Sequence, residues 1–436
     1  MSRSRRGDSA PRRGFGGNSF SGNQQNQRPG GGGGGGARHG GFGGNQPASQ
    51  NGSREQPDVR LCKFFLTGGS SNCKNTSSGG CGFSHCLQRV ADVDSGGGRA
   101  NQQQQGQIKA LATWKNEAGV HVFAASKDGH WRMWNAVTWA LEQDVDMEGE
   151  IGCLTVSNGW LLCGYEGATP LIPNVQVGHV RAWNLGNPAQ TLNMHISEQQ
   201  PYAHAGRVYS VAMRECAPGA PGNGDVYTAG HEGNIHAWVF NAETSSFVVA
   251  GRLEGHVLGV TALRFWGTNF LVSASMDKTL RIWNCEYPRD DPARECQMLL
   301  TANNDGHSDA VTCVANLAMG GTEYFMSGSM DASIKIWGPQ ATCEFTQKTA
   351  VPVLSLEATM DAAGKPICVI GLMDSTVELR QPDLGFRLRA TLSSRFSVGH
   401  VGDVRALCCG DQYFCSGASD GKLMVWQWVA PLPDPN

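Results

Sequence analysis

Residues 254–284 read EGHVLGVTALRFWGTNFLVSASMDKTLRIWN. A Gly-His pair is followed four residues on by a valine, then by an alternating apolar run, a Ser-x-x-x-Asp turn, and a tryptophan six residues past the aspartate. Alternation is the mark of a half-buried strand, and a polar turn between two such runs marks a hairpin. The pattern set by His256, Ser273, Asp277 and Trp283 recurs as His307, Ser327, Asp331 and Trp337, and again as His400, Ser416, Asp420 and Trp426. A Ser-His-Asp set invites a catalytic reading. Its return in every good copy argues against one, because an active site is not rebuilt along a single chain.

Weaker copies fill the remaining length. AASKDGHWRMWN gives Asp128 and Trp134, and VGHVRAWN gives Trp183 after a loop expanded by EGATPLIPNVQ. His204, Thr228, Glu232 and Trp238 form another set, and GLMDSTVELR offers Asp374 without a tryptophan. The copies end at 134, 183, 238, 283, 337, about 380, and 426, seven in all, close to the roughly 40–45 residues that one propeller blade needs. They resemble WD40 repeats, in which His, Ser or Thr, Asp and Trp form a buried hydrogen-bond chain. The resemblance implies an all-β fold, a seven-bladed propeller over 107–430 with a short tail at 431–436. VAPLPDPN after Trp428 is too rich in proline for another strand. The outer strand of the last blade is therefore expected from the 88–106 linker, with 88-QRVADV-93 the best candidate.

The 436 residues are 40% apolar, enough for a large core. No run approaches the roughly 20 apolar residues that span a bilayer, and MSRSRRGDSA has no apolar stretch of the secretory type. A soluble, intracellular protein of the nucleus, the cytoplasm or both is expected. Its 15 cysteines then sit in a reducing compartment, where disulfides explain them poorly. Charge is divided unevenly. Residues 1–100 hold 13 Lys and Arg against 5 Asp and Glu, and residues 101–436 hold 22 against 33. A cationic head on an acidic body assigns any polyanion to the head.

Residues 1–58 are low in complexity, with GFGGN twice and an unbroken glycine run from Gly30 to Gly36. Such a segment buries too little apolar surface to offset its chain entropy and is read as disordered. All its basic residues are arginines, interspersed with Phe15, Phe20 and Phe42. It resembles the Arg/Gly-rich tails of RNA-binding proteins, whose guanidinium groups pair with phosphates and stack on bases.

Between tail and repeats, residues 61–86 read LCKFFLTGGSSNCKNTSSGGCGFSHC. Cys62, Cys73, Cys81 and His85 have the spacing C-x10-C-x7-C-x3-H. Three thiolates and an imidazole make a closed tetrahedral set suited to one structural Zn2+. A segment of about 30 residues has too small a core to fold alone, so the metal would supply the folding energy. Residues 59–87 resemble the CCCH zinc finger, whose commonest spacing is C-x8-C-x5-C-x3-H. LCKFFLTG matches the family's opening and CGFSH its Cys-x-aromatic-x-His ending. Each longer gap carries its surplus in GGSS or NTSSGG, read as loops bulging away from the ligands. Cys86 is an alternative ligand beside His85. The finger is expected to share no core with the propeller, so that metal loss leaves the propeller folded.

In that family the finger stacks single-stranded RNA on exposed aromatics. Carried over by position, Phe64 (or Phe65) and Phe83 are the stacking candidates, with Arg60, Lys63 and Lys74 near the phosphates. One finger followed by a seven-repeat array is similar to a plant-type family of CCCH-finger/WD40 proteins over residues 59–430, with EGEIGCL, HAGRVYSV and GKLMVWQW as its more specific points. The resemblance implies a zinc-binding, nucleic-acid-binding scaffold without enzymatic activity; neither membrane contact nor a small-molecule substrate is expected. The leading expectation is an adaptor that holds single-stranded RNA through its head and recruits proteins through its propeller. The alternative is a WD40 substrate receptor or scaffold of a ubiquitin ligase, the finger serving protein or DNA binding. Against it, the Trp-Asp-x-Arg docking signature is replaced by Trp-Asn at 134–135, 183–184 and 283–284, Trp-Gly at 337–338 and Trp-Gln at 426–427. A RING would need eight ligands, and duplex DNA reading would need the helix of a C2H2 module.

Overall fold

The computed structural model describes residues 55–434, apart from 74–80, 82, 96–105, 118, 170–171, 188, 221, 286–295 and 397. The tail over residues 1–54 and Lys74 lie outside the described residues.

Seven four-stranded antiparallel sheets make a seven-bladed propeller. The first blade holds Ile108–Asn116, Gly119–Ser126, His130–Asn135 and Leu141–Asp146. The next five open on Glu150–Ser157, Val208–Met213, Val260–Trp266, Val311–Met319 and Val353–Met360. Each opening strand neighbours the opening strand of the next blade, and Val404–Gly410 of the seventh returns to Ile108–Asn116, which closes the ring. Inner strands read as continuous apolar runs because both faces are covered: Phe270–Ser275 is buried at every residue but its first. Outer strands such as Leu141–Asp146 are almost wholly exposed and correspondingly charged. In all seven blades the pairing of the first two strands slips near its start, at Ile108/Ala110 in the first and Val404/Ala406 in the last. A repeated bulge at that place adds twist to each sheet.

The seventh blade takes its outer strand from the other end of the chain. Strand β1, Leu87–Asp94, runs antiparallel to Lys422–Trp428 in a register from Leu87 opposite Trp428 to Asp94 opposite Lys422. Ser95 anchors its end by donating its hydroxyl to the Gly421 carbonyl at 2.7 Å.

The recurring polar residues form one network per blade. In the fourth, His256 bonds Asp277 through Nδ1 at 2.9 Å and Ser273 through Nε2 at 2.7 Å, and Trp283 donates Nε1–H to Ser273 Oγ at 2.9 Å. The fifth and seventh repeat this with His307, Ser327 and Trp337, and with His400, Ser416 and Trp426. These histidines are at least nine-tenths buried, so the network satisfies polar groups that would otherwise be costly inside the sheet stack. Burial alone would raise the Asp277 and Asp331 carboxyls. Hydrogen bonds from His256 and Thr279, and from His307 and Ser333, outweigh it and hold both well below the usual carboxylate range.

The sixth blade lacks the tryptophan and replaces it with Arg380, 2% exposed. Its guanidinium meets Glu378 at 2.9 Å, the Phe386 carbonyl at 3.1 Å, and Glu55, from before the finger, at 2.8 Å. Residues around Glu55 thus complete the weakest repeat. Asp58 pairs with Arg387 at 2.6 Å, and the Asp58 and Val59 amides donate to the Leu388 and Arg389 carbonyls at 3.2 and 2.8 Å.

This overturns the expectation that finger and propeller share no core. Val59, Leu66, Cys86 and Leu87 pack in one apolar cluster with Leu379, Leu392, Phe414, Trp426 and Trp428. Within that cluster Leu66 is 2% exposed. The C-terminal stretch joins the same seam, where Val429 donates its amide to the Cys86 carbonyl at 2.9 Å and Leu432 is 2% exposed.

Candidate metal centre and nucleic-acid face

The first gap of the finger is a helix rather than a loop. Lys63–Asn72 is helical, with a kink where Gly68 and Gly69 leave helical geometry and Gly69 takes φ 61°. The reading of GGSS as an outward bulge is corrected accordingly. The sequence KFFLT forms helix because Leu66 gains a buried seat while its amide closes the first turn onto the Cys62 carbonyl at 2.9 Å. The glycine pair then lets the chain turn toward Cys73, since glycine takes positive φ without steric cost. The second gap, 74–80, lies outside the described residues.

The two ends of the finger are drawn together by a bridge between Leu61 and Ser84, in which Cys62 N–H donates to the Ser84 carbonyl at 3.0 Å and Ser84 N–H to the Arg60 carbonyl at 2.8 Å. One ligand atom each from Cys62, Cys73, Cys81 and His85 then lies within 4.8 Å of all the others. Cys62 and Cys73 Sγ stand 3.7 Å apart; thiolates about 2.3 Å from a shared tetrahedral zinc would stand about 3.8 Å apart. His85 Nε2 is buried with no hydrogen-bond partner among the described residues. A buried, unpartnered ring nitrogen on a histidine grouped with three thiols is what a metal ligand looks like without its metal. The donor set fits a structural zinc. The Phe83 amide lowers the Cys81 thiol, but burial and the neighbouring thiols of Cys73 and Cys62 leave it above an ordinary cysteine, a crowding that a cation would relieve.

Cys86 is not part of this set. It is 2% exposed, belongs to the apolar seam, and its thiol is pushed up by burial.

The aromatic residues divide into two environments. Phe65 stacks on the His85 ring with centroids 4.4 Å apart and planes 10° from parallel. Phe64 and Phe83 are 56% and 52% exposed, and the Lys63 ammonium stands 5.1 Å from the Phe64 ring centroid. Arg60 and Lys63 are exposed. Sequence reasoning left Phe64 and Phe65 interchangeable, because adjacent helix residues differ by about 100° in direction and only packing decides which faces water. It also missed Glu55 and Asp58, whose arginine partners lie more than 300 residues away.

Comparison with known proteins bears on both parts. The family "WD domain, G-beta repeat" matches residues 247–284, 296–338 and 390–427. The chain is 30% identical over 390 residues to zinc finger CCCH domain-containing protein 17 of Oryza sativa subsp. japonica, covering 89% of this chain and 77% of that one. It is 27% identical over 421 residues to zinc finger CCCH domain-containing protein 63 of Arabidopsis thaliana, covering 95% and 82%. Among solved structures it is similar to the computationally designed Ika8 protein, with TM-score 0.50 and 22% identity over 74% of this chain and 96% of that one, a likeness of fold alone.

Proposed function

The chain belongs to the family of CCCH zinc-finger proteins with WD40 repeats, and from that premise we propose that it is a non-enzymatic adaptor that holds single-stranded RNA with its finger and recruits proteins with its propeller. Cys62, Cys73, Cys81 and His85 would hold one zinc, whose part is to fix the fold of the finger. The observation that carries the reading is the pair of exposed rings. Two phenylalanines stand more than half exposed beside a half-buried Cys3His cluster, where their ring faces are open to water. Flat faces of this kind stack on unpaired bases, at roughly 1–3 kcal/mol per base. Arg60 and Lys63 flank them and suit phosphate contact. Duplexes hide their base faces, so single strands are the favoured partner.

Support for protein recruitment comes from equivalent loops of two blades. Val257 and Leu258, just after His256, are 79% and 52% exposed, and Val401, just after His400, is 73% exposed.

The test is fluorescence anisotropy of labelled single-stranded RNA against the full chain across a salt series. Phe64→Ala and Phe83→Ala should each weaken binding by about 5- to 150-fold with the salt slope kept. Lys63→Ala should reduce that slope by about 0.7. Normal binding by the double phenylalanine variant, with metal retained, refutes the assignment of RNA to the finger.

A further inference from the structure

The third blade departs from its neighbours at the polar network. Glu232 stands where the fourth, fifth and seventh blades have Asp277, Asp331 and Asp420. Two residues before the network tryptophan, the first, second, fourth and fifth blades carry Arg132, Arg181, Arg281 and Lys335; the third carries His236. The long cations find partners, Arg281 with the Gly255 carbonyl at 2.8 Å and Arg132 with Asp128 at 3.0 Å. His236 stays inside. It is 3% exposed and stacks on His204 with centroids 4.6 Å apart and planes 10° from parallel.

Two acceptors meet there without donors. His236 gives one ring N–H to the Ala203 carbonyl, and its Nδ1 is buried with no partner among the described residues. Glu232 bonds His204 Nδ1 through Oε1, but its Oε2 is also buried and unpartnered. A ring nitrogen of each histidine and a carboxylate oxygen lie within 4.8 Å of one another. The unpartnered Nδ1 of His236 is thus the nitrogen left to offer a lone pair. A histidine held by a backbone carbonyl through one nitrogen and offering the other is the usual posture of a metal ligand.

We propose that His204, Glu232 and His236 form a second divalent-cation site, of the zinc class, separate from the finger. Two imidazoles and a carboxylate leave a fourth position open. The Glu232 side chain, 20% exposed, marks the solvent side. His204 would face the ion through Nδ1, the nitrogen now on Glu232, while its Nε2 lies 2.8 Å from Thr228 Oγ1. The ion would join three segments of one blade: the loop before its first strand, the turn after Val226–Gly230, and the strand Ile235–Asn241.

Cobalt distinguishes the two sites, because thiolate ligands add charge-transfer absorption and a nitrogen-oxygen set does not. The full chain, loaded with Co2+ or Zn2+ and gel-filtered, should carry two equivalents by elemental analysis. His236→Arg, which installs the residue other blades use, should carry one, with the thiolate bands intact. Cys73→Ser should lose the thiolate bands and keep a cation that His236→Arg removes. Should His236→Arg fail to fold, Glu232→Gln serves, since it keeps the size and removes the charge. Unchanged metal content in the folded variants overturns the proposal. So does a wild-type chain that binds one equivalent, with thiolate bands, up to pH 8.

Discussion

Ser273 is the hinge of its blade's polar network, accepting from Trp283 and bonding His256 with one oxygen. Ser273→Ala strands two buried ring nitrogens, and each unsatisfied group costs about 1–3 kcal/mol. Chemical denaturation should show that loss with the slope unchanged. The carboxylates give the network a pH signature. Asp277, Asp331 and Asp420 are held below their ordinary range in the folded chain, so they bind protons more weakly there than when unfolded. The stability they contribute is complete above the unfolded value of about 3.9 and is lost as pH falls through the lower folded values. The melting temperature should fall in acid below about pH 4, and Asp277→Asn should flatten that decline. The four-residue signature was legible in the sequence because it recurs at fixed spacing. Arg380 was not legible as a replacement for tryptophan, because nothing local says that Glu55 supplies its partner.

At the scale of elements, strands announced themselves by alternation and helix α1 (Lys63–Asn72) did not. Its ten residues include two glycines and two serines, poor helix formers, and the helix exists because Leu66 finds a seat on the seventh blade's core. Tertiary packing overrode propensity, and no window of local sequence contains that packing. The strand β1 presents the converse case. Its alternation over 88–93 is weak, but a propeller short of one strand leaves an edge that some segment must cover. A chain beginning at residue 107 should therefore melt well below one beginning at residue 86. Equal melting temperatures would mean that β1 contributes little to closure.

For the whole molecule, the apolar seam couples metal and ring. His85, the last member of the Cys3His set, is followed after one residue by the first of β1. Chelation, or Cys73→Ser, should then lower the melting temperature of the propeller itself, read from its tryptophan fluorescence. Leu66→Ala should do the same at a cost of about 2–5 kcal/mol with the metal retained. A propeller indifferent to both would mean the seam is contact without coupling.

The closing strand also sets an order in time. Arg89 of β1 reaches Met424, 335 residues along the chain. A ribosome adding about 5–20 residues per second makes the second about 15–70 s after the first. Throughout that interval the finger's four ligand residues have already been synthesised, while the surface that seats Leu66 has not. A nascent chain thus carries its metal-binding head on an unfinished body, and the two become one structure only once the strand Lys422–Trp428 has been made.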